Sequence, residues 1–101
     1  MISFDGKEFA LVVHERPAHW KTHPITLTAV DDPTYIYTLS VNLPGAPLLP
    51  EGAFWLKDWS ENKEIVDFLF EQGYIEWEWS ADPWPSGFVT VYAVRLTGKI
   101  Q

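Results

Sequence analysis

Cysteine is absent from the chain, which excludes disulfides, thiolate catalysis and Cys-based zinc sites together. No apolar run approaches the ~20 residues that a membrane-spanning helix needs. The opening Met-Ile-Ser-Phe-Asp-Gly-Lys-Glu lacks the basic stretch and long apolar segment of a secretory signal, so a cytoplasmic location is expected. Basic residues are scarce: 7 Lys and Arg stand against 14 Asp and Glu, a net charge of -7. Phosphate binding wants a basic face, so direct nucleic-acid binding is not expected. Gly45, Gly52, Gly73 and Gly87 are scattered turn residues that form no phosphate-cradling loop. Repeats and low-complexity segments are missing too. At 101 residues, one domain spanning 1–101 with a hydrophobic core of its own is expected.

What is present organises itself around Trp55–Tyr74, the one convincing helical stretch. Ser60 suits the N-cap and Glu61 the first turn, where a carboxylate meets the positive end of the dipole. Gly73 suits the left-handed position after the last turn. At 100° per residue Ile65, Val66, Leu69 and Phe70 fall within about 140°, which makes a core-facing stripe. Glu64, Asp67 and Glu71 gather on the other side, with Phe68 on their margin.

The remaining apolar segments read as strands. Ile2–Phe4 and Glu8–Val13 flank an Asp5-Gly6 turn. Ile25, Leu27 and Ala29 alternate with threonines, and Tyr35 to Asn42 returns after the Asp31-Asp-Pro-Thr34 turn. Leu43 to Gly52 carries Pro44, Pro47 and Pro50 and reads as an ordered loop over the core edge. Ala53–Lys57 leads into the helix. Tyr74–Trp79 alternates Ile75, Trp77 and Trp79 toward the helix with Glu76 and Glu78 on a wet face. Ser80–Gly87 reads as a loop, and Phe88–Leu96 as a central strand buried on both faces. These elements predict an α+β fold: a single, mostly antiparallel sheet of five or six strands, with one helix (about residues 60–72) packed on one face.

Leu49-Pro50-Glu-Gly, Lys57-Asp-Trp-Ser-Glu-Asn62, Ile65, Leu69, Gly73-Tyr-Ile75, Pro85-Ser-Gly-Phe-Val89 and Arg95-Leu96 form a set. This set, over residues 49–96, resembles small uncharacterised bacterial proteins, many from phages and other mobile elements, that share a Trp/Tyr-Ser-Glu-Asn helix start. The resemblance implies a mobile-element setting and carries no catalytic role with it.

No catalytic or metal site is expected. In His14-Glu15-Arg-Pro-Ala-His19 the histidines stand one residue too far apart for the zinc-protease motif, and Pro17 breaks the helix it needs. His14, His19 and His23 leave a three-His metal site open against plain surface histidines. Glu76 and Glu78 lie about 6–7 Å apart on one strand. Paired glycosidase carboxylates instead flank a cleft from opposing elements. Ser60 lacks a nucleophile elbow.

The charge is unevenly placed. Residues 51–82 hold nine acids (Glu51, Asp58, Glu61, Glu64, Asp67, Glu71, Glu76, Glu78, Asp82) against Lys57 and Lys63. Five of the six tryptophans lie in the same half or just beside it: Trp55, Trp59, Trp77, Trp79 and Trp84. Exposed Trp beside carboxylates is what recognition of an Arg- or Lys-rich partner requires. The alternative is that these rings cover the sheet edge. The expected function is a non-enzymatic, cofactor-free module that binds a basic surface of another protein through Trp59, Glu61, Glu64, Asp67, Phe68, Glu71, Glu76, Glu78 and Trp84. Its sharpest form is a phage-type inhibitor occupying a nucleic-acid-binding surface of a host protein. The other reading is a small-ligand or carbohydrate binder using Trp20, Trp84 and the 80–87 loop.

Overall fold

The computed structural model describes residues 1–20 and 22–99. The chain is α+β as expected, but it builds two antiparallel sheets of four strands rather than one sheet of five or six. Strands β1 (Ile2–Phe4), β2 (Lys7–Val13), β3 (Ile25–Ala29) and β4 (Ile36–Thr38) form a meander in chain order. Strands β5 (Ala53–Leu56), β6 (Ile75–Trp77), β7 (Trp84–Ser86) and β8 (Val89–Leu96) form the second sheet. Its order is β5-β8-β6, and β7 also pairs with β8. A 3-10 turn over Ser60–Asn62 leads into helix α1 (Lys63–Glu71).

The turns follow from their residues. Asp5 and Gly6 adopt φ of +51° and +76°, the left-handed pair that a type I′ hairpin demands. Between β3 and β4, the Thr34 amide and hydroxyl donate to the Asp32 carboxylate at 3.1 and 2.6 Å.

Two sheets form because the chain after β4 changes partner. Leu39 still donates its amide to Ile25 of β3 at 2.9 Å, but Val41 donates to Trp55 of β5 at 3.0 Å. Ser40 sits at the exchange. Its backbone bridges Leu56, while its Oγ accepts the Ile25 amide at 2.8 Å in place of a carbonyl. A strand that switches sheets in this way makes a corner.

The inner faces of both sheets and helix α1 share one cluster of buried side chains, among them Phe9, Leu27, Leu39, Phe54, Leu56, Ile65, Leu69 and Val94. On the far side of the second sheet, Leu43, Ala46 and Leu49 close over Ala53, Trp55, Val91 and Ala93. The proline-rich segment therefore lies over the sheet, as its leucines predict. Pro85 stands in β7, opposite Thr90 of β8. That strand was expected to be loop, and proline is tolerated there because β7 is an edge.

The helix ends as predicted and begins differently. Gly73, at φ +75°, donates to the Phe70 carbonyl at 3.1 Å, and Tyr74 donates to Leu69 at 2.9 Å. This is a Schellman ending. Ser60, however, makes no cap bond: Trp59 and Asn62 occupy the two N-cap positions, and neither caps through its side chain. Ser60 instead adopts a left-handed φ of +61°, which costs a Cβ-bearing residue energy that glycine avoids. Ser60→Gly is expected to be neutral or stabilising by up to about 1 kcal/mol in a denaturant titration. A loss of that size would restore a capping role.

Candidate functional site

The carboxylates and rings assigned to partner binding do not share one surface. Glu61, Glu64, Asp67 and Glu71 are exposed on the 3-10 turn and α1, and Glu76 is exposed on β6. Glu76 alternates with Ile75 and Trp77, so it leaves the sheet on the face away from the helix. Glu61 is tied to Lys57 at 2.8 Å. The Lys57 ammonium and the Ser60 hydroxyl hold its carboxyl at about 2.

Glu78 departs from its expected wet face: it is 9% exposed. Ser80 donates its hydroxyl to one carboxylate oxygen at 2.5 Å, and Arg95 faces the other at 3.3 Å. These bonds, those from Ser80 first, hold Glu78 below the usual carboxylate range. A depressed carboxylate adds stability above its unfolded value, and that stability is lost as pH falls through the folded value. Glu78→Gln should therefore flatten the acid limb of the stability curve below about pH 4.5. Equal acid limbs in thermal melts of the two proteins would remove Glu78 from the pH dependence.

Phe68, Trp59 and Trp84 are half-buried. Phe68 packs on the main cluster, with its ring 5.1 Å from Phe4 and 6.5 Å from Tyr74. Trp59 and Trp84 pack against the second cluster. The rings that do face solvent are others. Trp77, Trp79 and Tyr92 are 38%, 85% and 39% exposed. Trp77 stacks on Phe70 of α1 at 4.5 Å and lies 6.2 Å from Trp79 and 5.6 Å from Tyr92. Phe88, fully exposed, marks the tip of the β7–β8 hairpin.

The reason is length. Nine residues of α1 span about 13 Å, whereas eight residues of β8 run about 27 Å. The helix covers Val94 and leaves Tyr92 and the hairpin beyond it uncovered. Strand β6 also stops at Trp77, so Trp79 leaves the sheet rather than facing the helix. The helix stripe, only two turns long, was the signal for this. Asp67 and Glu71 lie on the exposed side of α1, the helix that also carries Phe70. Asp58, half-buried and just past β5, has its carboxyl raised, first by burial and in part by Asp67.

The histidine loop is put together differently. His14 Nε2 meets Thr26 Oγ1 at 2.8 Å, and His23 Nδ1 donates to the His14 carbonyl at 2.8 Å. Among the described residues no group of three His, Cys, Asp or Glu is placed to hold a metal ion. No helix among them is long and apolar enough to cross a membrane. Two clefts flank the 47–50 segment, one of about 490 Å³ and one of about 630 Å³. Trp84 lines the second with Ser80 and Asp82, and Trp20 lines neither.

Comparison with protein-family models, with curated proteins and with solved structures finds no match.

Proposed function

We propose that this chain is a binding module, with no reaction of its own, for a basic surface of another protein. The observation that carries the reading is the exposed ring set Trp77, Tyr92 and Trp79, stacked through Trp77 on the half-buried Phe70 of α1, the helix whose exposed side carries Asp67 and Glu71. Rings of this size supply contact area at low entropic cost, and a guanidinium or ammonium gains from both the π-face and the carboxylates. The mobile-element setting, a cytoplasmic location and the sharper role of blocking a nucleic-acid-binding surface belong to the same proposal.

Trp79 is the residue to remove, because its exposure makes the change nearly neutral for folding, within about 0.5 kcal/mol. Trp79→Ala is expected to weaken binding about tenfold or more. The triple change Glu64→Gln, Asp67→Asn, Glu71→Gln should weaken it too while keeping or raising stability, since three like charges at i, i+3 and i+4 spacings repel. Capture from one lysate on wild type and both variants, followed by titration of the retained basic protein, tests this. Equal affinities at equal salt would sink the proposal.

A second reading is favoured by the cleft beside Trp84, where a ring, Asp82 and Ser80 converge as a sugar would require. Salt separates the two. Charge-driven protein binding falls steeply with ionic strength, and sugar stacking hardly responds.

A further inference from the structure

The smaller cleft opens between the two sheets and shares no lining residue with the aromatic surface. Its volume is about 490 Å³, within the range of small-molecule sites. Its walls are core side chains. Ile25 and Phe54 belong to the main cluster, and Leu49 and Ala53 to the cluster under the proline-rich segment. Val13 and Leu48 line it while 53% and 73% exposed, so apolar side chains reach its mouth beside the exposed Arg16, His23 and Glu51.

The basic groups that line it come from one direction. Arg16 and His23 line the cleft from the β2–β3 loop. Their positions are held by bonds to the carbonyls of Trp20 and His14. Against these stands a single lining carboxylate, Glu51. In a chain of net charge -7, a guanidinium and an imidazole line this one apolar cavity.

We propose that this cleft binds a small amphipathic carboxylic acid, with the apolar chain against Ile25, Leu49 and Phe54 and the carboxylate toward Arg16. An apolar body alone would leave the guanidinium donors not bonded to Trp20 without a ligand partner. A fully polar anion would desolvate the cavity walls for nothing.

The test is calorimetric titration of the whole chain with monomeric octanoate, decanoate and dodecanoate and with the matching alcohols. Affinity should rise about fourfold per methylene until the cavity is full, at one acid per chain, with the alcohols about tenfold weaker or more. Arg16→Ala should weaken the acids and leave the alcohols unchanged, and Glu51→Gln should tighten the acids alone. Both positions are exposed, so neither change should threaten the fold. Amide shifts on adding decanoate should centre on Ile25, Phe54 and Leu96. The proposal is overturned by any of four results: no saturable decanoate binding up to the millimolar range, equal acid and alcohol affinities, shifts centred on Trp77 and Trp79, or sedimentation showing a second copy of the chain closing the cleft.

Discussion

Asn62→Asp is expected to cost about 3–5 kcal/mol at neutral pH. The side chain is completely buried at the junction of the two sheets. Its amide nitrogen donates to the carbonyls of Thr38, at the end of β4, and Lys57, just past β5, at 2.6 and 3.0 Å. A carboxylate of the same shape offers those carbonyls no proton and meets two oxygens with a charge. The N-terminal end of α1 returns only about 0.3–1 kcal/mol for the added negative charge, so the loss wins. The pH dependence is the signature. Burial against carbonyls raises the folded pKa of the new Asp above its unfolded value near 3.9. The folded variant then binds the extra proton, and its deficit relative to wild type shrinks as pH falls through the folded value. Urea titrations at neutral and acid pH check both parts. A constant deficit, or one under about 1 kcal/mol, would show that Asn62 is not the clasp between the sheets.

Leu69→Ala is expected to cost about 2–5 kcal/mol. Leu69 is fully buried where α1 meets the inner faces of both sheets, so its loss opens a cavity shared by all three layers. Asp67→Asn, two residues away on the exposed side, should stay within about 0.5 kcal/mol. Phe68→Ala belongs with Leu69 rather than Asp67, because its ring packs on Phe4. It is therefore no clean probe of binding. Denaturant midpoints for the three variants would rank them, and a Leu69→Ala cost below about 1 kcal/mol would mean that the helix rests on another face.

Local chemistry was legible in the sequence wherever one residue type decided the outcome. Gly73 ended the helix, Asp5-Gly6 closed a hairpin, and Ile25, Leu27 and Ala29 alternated inward. What was not legible depended on which element lay above which. Ser60 has the right chemistry for a cap, but the chain enters the helix through Asn62 and a 3-10 turn. Glu78 keeps the strand alternation that suggests a wet face, yet Ser80 and Arg95 close over it. Tyr92 lies in an apolar strand that looks buried throughout, and the helix is simply too short to reach it. What the sequence did not reveal is which rings the fold leaves exposed. Phe68 and Trp84 are half-buried, whereas Trp77, Trp79 and Tyr92 are exposed.

The position of β8 also sets an order of assembly. The meander β1–β4 pairs neighbours in sequence and needs nothing beyond residue 38. In the second sheet every other strand pairs with β8, which follows all of them in the chain. On the ribosome, β5, β6 and β7 must therefore wait for residues 89–96 to emerge before any of them gains a sheet partner there. Until then β5, whose four residues are all buried in the finished protein, presents Ala-Phe-Trp-Leu with one edge supported only by Ser40 and Val41. That is an apolar strand with an open side, the form in which chains stick to one another. The proline-rich segment just before it, with three prolines between residues 44 and 50, cannot extend that strand and so confines the hazard to four residues while synthesis finishes.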